Sequence, residues 1–199
     1  MQENKNYNDL SAFKRLFFSP TLYNKNKTQQ ITYVALTTAF VVIANMFFEF
    51  KFLEVQFSLT LAVCALAGVI MGAGFGFVSA FLGDLVGFLF NSAGMIYMPW
   101  VGISMGVVAL ISGVVVNGIK NEKFNLYLRI ILVAILTLII CTIAINTTAF
   151  WVFYSNGKTD YFTYLFTRLI LKGQIINSLV NYAILFITIP VFKRINLIK

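Results

Sequence analysis

Six runs of apolar residues, at roughly 30–48, 57–71, 74–91, 99–118, 125–150 and 166–192, take up most of this chain. A helix rises about 1.5 Å per residue and needs ~20 apolar residues to cross a bilayer's hydrocarbon. Most of the runs reach or approach that length; the second is short, as a tilted or partly re-entrant segment is. Hydrophobic residues make up 59 % of the 199 and charged residues only 11 %, against about 25 % charged in soluble domains. The chain therefore reads as all-α, an integral membrane bundle of six transmembrane helices.

Its charges set the orientation. With both termini inside, eleven Lys and Arg fall on the cytoplasmic side and four, Lys51, Lys158, Arg168 and Lys172, outside, the bias expected of cytoplasmic loops. The expected organisation is a cytoplasmic N-terminal segment at 1–29, a six-helix membrane domain at 30–192 and a cytoplasmic tail at 193–199. No leading signal peptide is read, since the first stretch is polar and the apolar pattern begins near residue 30. Leu10, Phe13, Leu16 and Phe17, with Lys14 and Arg15 beside them, fit a short amphipathic helix on the membrane surface that ends at Pro20. No second domain or internal repeat is evident, which speaks against an inverted-repeat transporter. The formal charge of +8 sits between spans as a topology signal, so no nucleic-acid partner is read.

Several chemistries are excluded. The chain has no histidine, which removes Ser-His-Asp hydrolysis and the H-E-x-x-H metal site. Cys64 and Cys141 fall inside apolar runs and read as buried small hydrophobes. No metal or cofactor site is read. No G-x-x-x-x-G-K-[ST] loop occurs, so the chain does not split ATP in the Walker manner, and concentrative uptake needs a partner. An embedded enzyme working through Asp84 is a poor alternative, with one acid in the spans and nothing to pair it with.

Binding residues are better candidates. Asp84 lies inside the third run, where an acid costs about 2.5–3.5 kcal/mol to insert and takes a ligand or a neighbouring helix as partner. Three outer connections, Glu49 to Glu54, Asn91 to Trp100 and Phe150 to Tyr164, are rich in aromatics such as Tyr97, Trp100 and Trp151. They form either an interfacial belt or the roof of a pocket for a flat molecule. Tyr164, Arg168 and Lys172 follow at four-residue intervals at the outer start of the last run; the two cations suit carboxylates or snorkel to headgroups. Gln174, Asn177 and Asn181 fall on a different face, which lines the same cavity only if the helix bends, as at Gly173. Asn146 adds a polar group one turn after Thr142. In the first run Ala35 and Ala39 make a small-xxx-small pair, a contact surface for another helix.

With Ala35-x-x-x-Ala39 in its first helix, a chain of this length and six spans resembles the substrate-binding S-components of energy-coupling factor (ECF) vitamin transporters. Gly83-Asp84-Leu85-Val86-Gly87 followed by Gly94, Tyr97 and Pro99, then Asn146-Thr147 and Arg168-Leu169-Ile170-Leu171-Lys172, are similar to the folate-specific, FolT-like branch. Departures are Met98 and Trp100 around Pro99, and Gly173-Gln174 after the lysine; they keep another vitamin open, such as hydroxymethylpyrimidine, thiamine or pantothenate. The resemblance implies a vitamin-binding subunit that is not itself an enzyme, with an outward-facing pocket. Its implied partners are an EcfT-like transmembrane coupling protein, docking on Ala35 and Ala39, and two cytoplasmic ATPases. A pterin then stacks on Trp100, Trp151 or Tyr97 and pairs its edge with Asp84, Asn91 or Asn146. A glutamate tail meets Arg168 or Lys172, beside Tyr164.

Overall fold

A computed structural model describes residues 17–23, 25–52, 55–90, 96–118, 125–155 and 158–194. Among them, in chain order, stand helix α1 (Pro20–Tyr23), α2 (Lys27–Phe47), strands β1 (Glu49–Phe52) and β2 (Val55–Ser58), α3 (Thr60–Met71), α4 (Ala73–Phe90), α5 (Pro99–Gly118), α6 (Leu126–Ser155), α7 (Tyr161–Phe166) and α8 (Gln174–Arg194). Helices α2, α4, α5, α6 and α8 are long and apolar enough to cross a membrane; α3 is apolar but shorter. Asn91 and the amphipathic segment up to residue 16 lie outside the described residues.

Pro20 opens α1, where its missing N–H costs nothing, and Ser19 Oγ accepts the Leu22 N–H at 3.2 Å. The Gln30 side-chain amide donates to the Leu22 and Lys25 carbonyls at 3.2 and 3.0 Å, tying α1 to the first turn of α2.

The centre of the bundle is built from small residues, which let helix backbones touch where lipid gives no hydrophobic drive. A Cβ on Gly68 of α3 would overlap the Ala109 carbonyl of α5, and one on Gly76 of α4 would overlap the Gly68 backbone. Gly83 and Gly87 leave room on α4 for Val41 and Asn45 of α2. Around this lie buried Val69, Val108, Ile130, Val133 and Leu185, together with Cys64 and Cys141, both free and buried. Gly68→Leu is expected to lower stability by about 3 kcal/mol through overpacking, read as a fall in the thermal midpoint of the purified protein in detergent.

Three expectations need correction. The connection Glu49 to Glu54 is not merely an aromatic loop: Glu49–Phe52 and Val55–Ser58 form an antiparallel hairpin, with Glu49 opposite Ser58 and Phe52 opposite Val55. Its cause is the two-residue alternation of Glu, Phe, Lys, Phe and then Val, Gln, Phe, Ser, the strand period. The run at 166–192 is not one helix. Gly173 takes φ 64°, which breaks the chain between the π-wound turn Thr167–Leu171 and α8. The fifth run continues past residue 150 to Ser155, helped by π-winding over Leu138–Thr147 and Trp151–Ser155.

Candidate functional site

A cavity of ≈ 190 Å³ opens among these elements, lined by Asn45 of α2, Ser58 and Thr60, Asp84, Val101 and Met105 of α5, Asn146 and Phe150 of α6, Arg168, and Gln174 and Asn177 of α8. A deeper lobe of ≈ 40 Å³ shares Ser58, Met105, Asn146, Gln174 and Asn177, and adds Ser104, Cys141 and Thr142. Seven of the eleven lining residues carry a neutral polar group or a carboxylate, concentrated where the surrounding core is apolar.

One wall is built around Asp84, 5 % exposed. It accepts from Asn45 Nδ2 at 3.2 Å and from the Tyr97 hydroxyl at 3.4 Å. The Tyr97 hydroxyl is pushed up to about 12, by burial first and then by the Asp84 charge. It therefore keeps its proton at physiological pH and stays a donor to the carboxylate. The Gly102 hydrogen faces both groups; a side chain there would displace them.

The floor is irregular backbone, which hydrocarbon tolerates only when its polar groups are satisfied within the protein. Ser58 and Leu59 join β2 to α3 there. The Asn177 Oδ1 accepts the Ser58 N–H at 3.0 Å, and the Asn181 Oδ1 accepts the Ala62 N–H at 2.9 Å. Asn181 Nδ2 donates to the Ser58 carbonyl at 2.6 Å and to that of Asn177 at 2.8 Å. These two asparagines stitch α3 to α8, and the break at Gly173 is what lets α8 and Arg168 face one cavity.

The opposite wall comes from the π-wound part of α6 and from Arg168. Asn146 Nδ2 donates to Ser104 Oγ at 2.9 Å, and Ser104 donates to the Cys141 carbonyl at 3.4 Å. The Asn146 Oδ1 is buried without a partner, as is Arg168 Nε. The Arg168 guanidinium lies 4.0 Å from the centroid of the Phe150 ring, a cation–π contact. Burial pushes the guanidinium below its usual value, while Tyr164, hydrogen-bonded to it, pushes it back up; an arginine stays charged regardless. Trp100 stands edge-on to Phe150 at 5.9 Å and stacks on Phe153 at 4.5 Å, its own Nε1 buried and without a partner.

Of the residues singled out in the sequence, Asp84, Asn146 and Arg168 line the cavity. Tyr97, Trp100 and Tyr164 sit one contact behind it, on Asp84, Phe150 and Arg168. Trp151 and Lys172 stand apart. The Trp151 indole donates to the Thr159 carbonyl at 2.9 Å and packs edge-on against Tyr161. Lys172 is exposed at the end of a π-wound turn, where four-residue spacing no longer keeps it on the Arg168 face. Ala35 and Ala39 are exposed on α2 beside Leu36 and Phe40. Asn45, Ser58 and Thr60 were not singled out as ligand contacts, and polar side chains in or beside apolar runs were the signal available for them; Phe150 and Gln174 came in only with the aromatic connection and the conditional bend.

The lining offers amides, hydroxyls, one carboxylate and one guanidinium beside the Phe150 ring, groups of the kind that can hydrogen-bond and charge-match a polar-edged anion. Residues 25–196 match the family described as ECF-type riboflavin transporter, S component. No curated protein matches the chain. Seven solved chains do; in one of them, the crystal structure of FolT bound with folic acid, the TM-score is 0.62 at 23 % identity, covering 80 % of this chain and 91 % of that one. The likeness is one of fold.

Proposed function

We propose that this chain, which belongs to the family of ECF-type riboflavin transporter S components, captures folate outside the cell for import. Membership makes it a membrane-embedded transport subunit that binds a vitamin. The observation that carries the folate reading is Arg168, a half-buried cation packed on Phe150 with its buried Nε unpartnered on the cavity wall. Tyr164 and Phe150 hold the guanidinium without neutralising it, and a glutamate tail supplies carboxylates that match its fork. At the other wall, Asp84 accepts hydrogen bonds and suits the amino edge of a pterin. The cavity of ≈ 190 Å³ is below the ~300–1,000 Å³ usual for a whole ligand, so the ring fills it and the tail runs out along Arg168. Kinship in fold with a FolT that holds folic acid supports the same reading.

Riboflavin is the second reading, favoured by the family's own description. Its ribityl chain is neutral and leaves the Arg168 charge unmatched. A thermal-shift panel of folic acid, riboflavin, thiamine and pantothenate separates them, because binding to the folded state raises its stability. Folic acid is expected to give the largest shift; a larger one with riboflavin overturns the folate reading.

In this proposal α3 serves as the sixth, short span and both termini face the cytoplasm. A coupling protein and two ATPases supply the power stroke, docking on the exposed Ala35 and Ala39 face of α2. Replacing both alanines with leucine is expected to leave vitamin binding intact and abolish uptake and complex assembly in cells; unimpaired uptake would refute the docking surface.

A further inference from the structure

We infer that Thr147 is a positioning residue for the ligand cavity, acting through the π-winding of α6. The inference rests on the cavity being the ligand site and not on which vitamin fills it. Thr147 is 0 % exposed and touches no open part of the cavity. Its hydroxyl donates to the Thr142 carbonyl, five residues back, at 2.7 Å; Thr148 repeats the reach to Ile143 at 3.4 Å. Elsewhere Thr32, Thr37, Thr38, Thr137, Thr167 and Thr188 bond the carbonyl four residues back, the spacing an α-helix provides.

The longer reach matches the winding. In an α-helix, residues five apart point about 140° away from each other, yet Thr142 and Thr147 are both buried, at 3 % and 0 % exposure. Leu138–Thr147 is π-wound throughout, whereas such winding is ordinarily a single turn and concentrates at functional sites. Asn146 precedes Thr147 directly and Phe150 follows within a turn, and both line the cavity. With the Thr147–Thr142 bond gone, the segment is free to tighten toward α-winding. That rotates Asn146 off Ser104 and Phe150 out from under Arg168.

The test compares Thr147→Val, which keeps the shape and loses the hydroxyl, with Thr147→Ser, which keeps it. Folic acid and riboflavin are each titrated against the purified protein by tryptophan fluorescence. Thr147→Val is expected to weaken the vitamin the wild type binds about tenfold, with Thr147→Ser close to wild type. In an Asn146→Ala background Thr147→Val is expected to add a smaller loss, the part that runs through Phe150. Undiminished affinity in Thr147→Val, or the same loss in both backgrounds, overturns the inference. Amide hydrogen exchange across residues 143–148 of the ligand-free protein is the independent readout: faster exchange in Thr147→Val and not in Thr147→Ser is expected, and unchanged exchange overturns it. A wild-type protein that ignores folic acid removes the folate reading alone, since the exchange arm needs no ligand.

Discussion

Arg168→Ala is expected to weaken folic acid binding about 100-fold, close to 3 kcal/mol, while a pterin without the glutamate tail loses less than about threefold. The guanidinium is held on the cavity wall by Phe150 at 4.0 Å and by Tyr164, with Nε left over. Two charge-assisted hydrogen bonds to a carboxylate are what such a group offers. Arg168→Lys keeps the charge and loses the fork, so its affinity is expected between wild type and alanine. Calorimetric titration of both ligands against each variant checks this. Equal losses for the tailed and tail-less ligands would mean that Arg168 shapes the wall without touching a carboxylate.

Asn181→Leu is expected to cost about 4 kcal/mol of stability. Asn181 is 0 % exposed. Its amide serves the Ala62 N–H and the Ser58 and Asn177 carbonyls. Leucine fills the volume and takes the Asn181 partner from the Ala62 N–H and the Ser58 carbonyl, which are held by side chains where α3 begins. The thermal midpoint in detergent is the measurement. The loss is expected to be present without ligand and to persist at saturating ligand, because it falls on the α3–α8 joint itself. A wild-type midpoint would show that this stitching contributes nothing net.

Much of this architecture was legible because a bilayer imposes a length and a composition. The apolar runs stand out for that reason, and so do Asp84, an acid where acids are costly, and Arg168, a cation within the last apolar run. The bend at Gly173 was legible only as a condition, the one under which Arg168 and Asn177 share a cavity, while the run itself read as a single span. The hairpin was harder to see, because its two-residue alternation over Glu49–Ser58 sits between two apolar runs that dominate any long window. The π-winding of α6 left no trace in the hydrophobic pattern, which is apolar all round there. Reading Arg168 and Lys172 as one face assumed α-spacing, and the π-wound turn Thr167–Leu171 removed that assumption. Asn45, Ser58 and Thr60 come to one cavity with Asp84 from elements distant in sequence, and nothing local to each residue announces such a meeting.

The most direct measurement is a titration of folic acid into the purified chain alone, in detergent, without ATP or any partner. Saturable one-site binding at micromolar or lower ligand, abolished or strongly weakened by Arg168→Ala, is the result that capture of folate by this subunit predicts. A flat titration, or saturation by riboflavin with none by folic acid, would contradict it.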